Sequence, residues 1–147
     1  MNKNQTFIVV KCGNDNEYHA ALELDKVITK NGFAWFAKYG SAIKFSKLYE
    51  NNPEGEFILC LSIFSEGQYK LYSYLIIEFS ESFTGPEGSY PAYYKSNIYY
   101  INTWIKVKKY SEKKFSYEDL VVKSSLRKLS DTIRRSTAGH FICKLMK

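Results

Sequence analysis

Two long apolar runs, residues 57–64 and 69–79, are separated by a short polar segment that contains Gly67. Leucine, aromatic and β-branched residues fill both runs, and this pattern predicts a β-hairpin over residues 56–80. The first run is apolar on both faces for most of its length, whereas the second alternates more clearly. A strand that is apolar on both faces is typically covered on both sides. We therefore expect the hairpin to form the centre of a small mixed β-barrel.

The rest of the pattern predicts four further strands and three helices. Leu24 and Ile28 fall on one face of the first predicted helix. The last predicted helix has the clearest apolar stripe, which Leu126, Leu129 and Ile133 form at helical spacing. The predicted strands are residues 6–11, 33–40, 98–110 and 140–145, and the predicted helices are residues 17–30, 41–52 and 124–138.

Composition indicates one folded domain. The chain has 147 residues, and a hydrophobic content of 45% excludes general disorder. No apolar run has membrane-spanning length, and the first residues lack the pattern of a signal peptide, so we expect a cytoplasmic protein with no membrane partner. Cys12, Cys60 and Cys143 are odd in number and widely spaced, which favours buried reduced thiols over disulfides.

Positive charge is concentrated in the last third of the chain. Residues 1–100 contain 9 Lys and Arg against 11 Asp and Glu, whereas residues 101–147 contain 12 against 4. This asymmetry predicts a polyanionic partner, and an ordinary solvated face is the alternative. The cations that we expect to contact phosphates are Lys106, Lys108, Arg127, Arg134 and Arg135.

The order of the elements resembles that of the PUA-like proteins. The closest similarity in pattern is to the EVE and YTH-type readers and to the target-reading domains of modification-dependent restriction systems. The segments on which the resemblance depends are FIVVKC, NGFAWFAKYG, the 56–80 hairpin, NTWIKVKKY and SLRKLSDTIRRS. The resemblance implies an α+β fold in a single EVE-type domain over residues 1–147. It also implies a PUA-like mixed β-barrel of about five to six strands with two to three flanking helices.

The same resemblance implies a function. Domains of this kind typically bind a nucleic-acid base, often flipped out of the duplex, in a pocket between the barrel and its loops. Trp35 and Phe36 match the aromatic position after the first helix, and the 12–16 loop matches the segment that lines the pocket. The resemblance therefore implies DNA or RNA as the partner and a modified or flipped base as the group recognised.

A base offers a flat π-face and a polar edge, so a reader needs aromatic plates and amide groups. We expect Trp35, the 12–16 loop and the tyrosines of the 83–97 loop to meet at one rim of the barrel. The alternative is that these aromatic side chains only pack in the core or cover a loop. The candidate base-binding residues are Asn14, Asn16, Trp35, Phe36, Tyr90, Tyr93 and Tyr94.

Catalytic patterns are poor, so we expect a binding protein rather than an enzyme, with no cofactor and no metal. His140 and Cys143 lie on opposite faces of a predicted strand, and two histidines without a CxxC motif do not predict a zinc site. Two other functions stay open. One is a small nuclease or nucleotide-processing enzyme that uses His19 or His140. The other is a protein-interaction module of a host–phage or toxin system.

Overall fold

Seven strands, three α-helices and one 3-10 turn form in the computed structural model, which describes residues 5–14, 20–38, 43–53, 55–65, 67–81, 89–91, 103–110, 115–133, 136 and 138–146. The fold is α+β, as expected. The strands are β1 (Gln5–Asn14), β2 (Ala34–Ala37), β3 (Glu56–Ser65), β4 (Gln68–Ser80), β5 (Trp104–Lys109), β6 (Leu120–Val122) and β7 (His140–Leu145). The helices are α1 (Ala20–Asn31), α2 (Phe45–Asn51) and α3 (Leu129–Thr132), and the 3-10 turn is Tyr117–Asp119.

The strands form one mixed sheet in the order β2-β5-β4-β3-β1-β7-β6. β1 and β3 pair in parallel at its centre, and the other neighbours pair antiparallel. The sheet has seven strands rather than the expected five to six. No ladder joins β2 to β6 among the described strands, so their hydrogen bonding leaves the sheet open.

The central strands are covered on both faces, which explains why they are apolar on both. Ile8 of β1 and Leu59 of β3 pack in a core with α1 and α2. Their neighbours Phe7 and Ile58 pack in a second core on the opposite face. This second core is closed by the segment that includes Leu120 and α3. The prediction that the first arm of the hairpin is buried on both sides is therefore confirmed.

The predicted long helix over residues 124–138 is wrong, because α3 is a single turn. β6 pairs with β7, and an isolated bridge joins Val121 to Lys128. The chain must turn sharply between these two residues, which prevents a helix from beginning there. Leu126 consequently lies at the turn with φ of +60° and is exposed, whereas Leu129 and Ile133 are buried as predicted.

The thiols fit the expectation of reduced cysteines. All three are free, and Cys60 and Cys143 are buried. Burial raises the pKa of the Cys60 thiol to about 12, so this group stays protonated at neutral pH. Within the described ranges, no helix is long and apolar enough to cross a membrane.

Candidate functional site

A cleft of about 830 Å³ lies between α2, the turn after β6 and the first residues of β7. Its apolar floor comes from core residues such as Leu48 and Phe141, and its rim is polar. The lining residues are Ile43, Lys44, Lys47, Leu48, Asn51, Val122, Lys123, Ser124, Ser125, Thr132, Ser136, Ala138, His140, Phe141 and Ile142.

The described lining of this cleft is purely basic in its charge. Lys44, Lys47 and Lys123 line it, and none of the described lining residues is an aspartate or glutamate. Lysine ammonium groups and side-chain hydroxyls are common partners of phosphate oxygens. The hydroxyl-bearing residues in the lining are Ser124, Ser125, Thr132 and Ser136. The cleft therefore has the chemistry of a site for phosphate groups.

A buried polar junction positions Lys123 in the cleft. The Thr6 hydroxyl accepts hydrogen bonds from Asn52 Nδ2 at 3.0 Å and from Lys123 Nζ at 3.2 Å. Thr6 and Asn52 are both buried. Burial lowers the pKa of Lys123, and the nearby charge of Lys144 lowers it further. An anion beside Lys123 would oppose both effects, so the junction favours an anionic ligand.

His140 is one of the residues that line the same cleft. Burial lowers the pKa of its imidazole, and the positive charge of Lys38 adds to this effect. Lys38 directly follows β2 and is buried, and this burial lowers the pKa of its ammonium group. The Nδ1 atom of His140 is buried and has no hydrogen-bond partner in the described part of the chain. His140 is therefore neutral at pH 7 and has an unused polar atom.

A separate aromatic cluster lies at the β2 edge of the sheet. Trp35, Tyr90 and Trp104 are at most 6% exposed and pack together with Ala37, while Phe33 covers the cluster. The rings of Tyr90 and Trp104 meet edge to face, with their centroids 6.3 Å apart. Ser89 O accepts a hydrogen bond from Trp35 N at 2.8 Å, which fixes the segment around Tyr90 to the edge of β2. The predicted partners Trp35 and Tyr90 thus share one cluster.

The Lys106 ammonium lies over this cluster. Its Nζ is 4.4 Å from the Phe33 ring centroid and 5.8 Å from the Trp35 ring centroid. Glu78 Oε1 lies 3.9 Å from the same Nζ. Lys106 is therefore engaged by aromatic faces and a carboxylate, which reduces its availability for a phosphate.

Phe36 follows Trp35 in the sequence, but the two side chains lie in different clusters. Successive residues of a strand point to opposite faces, and Phe36 packs in the core under α1 and α2. The two side chains cannot line one pocket, so we omit Phe36 from the site.

The other predicted residues that the structure describes are dispersed. Lys108 is exposed on β5, and Arg127 is exposed in the turn between β6 and α3. Asn14 ends β1, where its register partner is Phe64 of β3. The predicted residues that fall outside the described part of the chain are Asn16, Tyr93, Tyr94, Arg134 and Arg135.

Sequence reasoning did not select Lys44 and Lys47 for the site. Both lie in a net acidic part of the chain, where the charge count drew no attention to them. Their spacing of three residues at the beginning of a predicted helix would have placed them near one face. Nothing in the sequence alone brings that helix beside the turn that contains Lys123.

The described residues contain no group of three or more His, Cys, Asp or Glu side chains arranged to hold a metal ion. Comparison of the chain with family models, with curated proteins and with solved structures finds no match.

Proposed function

We propose that the protein binds nucleic acid and holds backbone phosphates in the cleft between α2 and β7. The observation that supports this most is the charge of the described lining residues, which include three lysines and four hydroxyl-bearing residues but no carboxylate. A phosphodiester backbone presents regularly spaced anions that such a surface attracts regardless of sequence. The formal net charge of +6 adds long-range attraction to the same partner.

The finer part of the proposal is a PUA-like, EVE-type arrangement in which the open sheet curls towards a barrel. Ile8 of β1 and Phe36 of β2 share one core although three strands separate them in the sheet. The charge of Lys38 after β2 also acts on His140 at the start of β7. Both observations support strong curvature of the sheet, because a flat sheet would hold β2 far from both β1 and β7.

Recognition of a modified or flipped base is the second finer part of the proposal. Trp35 and Tyr90 are the aromatic candidates among the described residues, and both are buried. A base would reach them only if the cluster opened. The proposal therefore assigns most of the affinity to phosphate contacts, and selectivity to the region of the aromatic cluster.

The test compares two variants with equal changes in charge. Lys44, Lys47 and Lys123 are replaced together by glutamine, and the matched control replaces Lys26, Lys30 and Lys70, which lie outside this cleft. Fluorescence anisotropy with labelled single-stranded DNA, duplex DNA and RNA at low salt measures binding. We expect the cleft variant to bind at least about tenfold more weakly than the control variant. Equal losses in both would show a non-specific charge effect and would contradict the proposed site.

Hydrolysis is a second candidate function, and the position of His140 favours it. A neutral imidazole in the same cleft as three lysines is suited to take a proton from a water molecule that attacks a phosphodiester. Incubation of the parent protein and a His140→Ala variant with DNA and RNA oligomers tests this function. Cleavage by the parent that is lost in the variant would favour the enzyme, whereas binding without cleavage would favour the reader. Absence of any binding at low salt would instead favour a protein-interaction module.

A further inference from the structure

The turn between β6 and α3 presents an exposed leucine in an unfavourable backbone conformation. Leu126 has φ of +60°, and 67% of its surface is exposed. Among the described residues, it is the only non-glycine residue with positive φ. A residue with a Cβ is disfavoured there, and such outliers cluster at functional sites. Leu126 therefore combines a cost in backbone conformation with exposure of an apolar side chain.

Backbone hydrogen bonds hold this turn in place. Leu126 N donates to Val122 O at 2.8 Å, and Val122 N donates to Arg127 O at 2.9 Å. Arg127 N donates to Ser125 Oγ at 3.3 Å. These bonds anchor the turn to β6, so Leu126 is held away from the core rather than free to fold back onto it.

The charges around Leu126 are all positive along the turn. Lys123, Ser124 and Ser125 line the proposed phosphate cleft, and Arg127 and Lys128 follow on the exposed side. No acidic residue occurs between positions 120 and 130. An apolar side chain thus projects at the rim of a phosphate site and is flanked by cations.

We propose that Leu126 is an apolar wedge that enters a base step of a duplex whose phosphates lie in the cleft. This inference rests on the proposed function and names the part of the nucleic acid that the turn contacts. Leucine is among the side chains that insert between base pairs, unstack them and bend the duplex. Adjacent cations such as Arg127 are suited to the groove and phosphates on either side of the step. A purely apolar protein partner would leave these cations without counter-charges.

The test uses duplex DNA in which several adenines are replaced by 2-aminopurine, whose fluorescence rises when it unstacks. At saturating protein, we expect the parent to raise the fluorescence, and Leu126→Gly and Leu126→Ala to lose most of that rise. The slope of affinity against salt should stay unchanged, because no charge is removed. Leu22→Ala changes an equally apolar residue that is 55% exposed on α1, and this control should keep the rise.

The stability of the variants separates a wedge from a folding defect. Glycine tolerates positive φ, so Leu126→Gly should leave the melting temperature unchanged or raise it by up to about 3 °C. Three results would each overturn the wedge while leaving the proposed function intact. They are a fluorescence rise in Leu126→Gly as large as the parent's, a loss in Leu22→Ala equal to that in Leu126→Gly, and saturation of the parent without any rise. Failure of the parent to bind any nucleic acid would overturn the proposed function and the wedge together.

Discussion

The aromatic cluster at β2 and the basic cleft beside β7 are built from opposite kinds of residue and have opposite exposure. Trp35 and Trp104 have the side chains most suited to stacking on a base, yet they are almost completely enclosed. Ordinary lysines and serines line the cleft, yet it is open, and the charged residues in its described lining are all basic. Side chains whose type suggests ligand binding can therefore serve packing, whereas common polar residues line the accessible cleft.

The largest expected effect tests whether the aromatic cluster is structural. Trp35→Ala should lower the free energy of unfolding by about 3–5 kcal/mol, because it removes a large buried side chain from a cluster that cannot fully collapse. Urea unfolding measures this change. Tyr69→Ala, at a tyrosine that is 48% exposed, should cost no more than about 1 kcal/mol. Unchanged stability of Trp35→Ala with a tenfold loss of nucleic-acid binding would instead make Trp35 an accessible base plate.

The next effect concerns the junction that supports Lys123. A Cβ at Gly55 would overlap the Asn52 side chain and so disturb its hydrogen bond to Thr6. Gly55→Ala should lower the free energy of unfolding by about 1–3 kcal/mol and also weaken nucleic-acid binding. Gly139→Ala is the matched control, since a Cβ there meets no atom of the described residues within 4 Å, its two chain neighbours aside. Equal stability and equal binding in the two variants would show that the junction supports neither the fold nor the binding of nucleic acid.

The dependence of binding on pH tests whether His140 belongs to the cleft. Its pKa lies below the ordinary value of 6.5 in the free protein, and a bound phosphate would raise that pKa. Affinity should therefore rise as the pH falls through the region below 6.5, by at most about tenfold per unit of pKa change. Since His140 is the titrating group in this account, His140→Gln should flatten the profile. An unchanged profile in that variant would place the titrating group elsewhere.

The smallest expected effect concerns the strand that borders the aromatic cluster. Lys108 is exposed on β5 and lines neither the cleft nor the cluster. Lys108→Ala should weaken binding to every sequence alike and lower the salt slope by at most about one unit. A loss of affinity as large as that of the cleft variant, measured in the same anisotropy assay, would indicate that the main phosphate contact lies on β5.

Local pattern was sufficient for most of the secondary structure but failed where distant segments pair. The spacing of Leu126 and Leu129 fits a helix, yet the bridge between Val121 and Lys128 places Leu126 in a turn. A register shift between Ile76 and Glu78 similarly places Phe79 against the same core as Ile76, which strict alternation does not predict. Both outcomes depend on partners far away in the sequence.

The candidate site was less predictable than the fold for the same reason. Its lysines come from α2, from the residue just before α2 and from the turn after β6, and only the folded chain brings these segments together. The charge asymmetry drew attention to the last third of the chain, where Lys123 lies. It did not select the contribution of α2, because Lys44 and Lys47 are outnumbered by acidic residues in the first part of the sequence.

The salt dependence of duplex binding tests the central claim most directly, because its slope counts the phosphates that the protein neutralises. The logarithm of affinity is measured against the logarithm of salt concentration for the parent, the cleft variant (Lys44, Lys47 and Lys123 to glutamine) and the control variant (Lys26, Lys30 and Lys70 to glutamine). We expect the slope of the cleft variant to be shallower than that of the parent by about two to three units, since each lost phosphate contact removes about 0.9. The slope of the control variant should stay within about one unit of the parent's. Identical slopes for the parent and the cleft variant would contradict the claim that this cleft holds the phosphates.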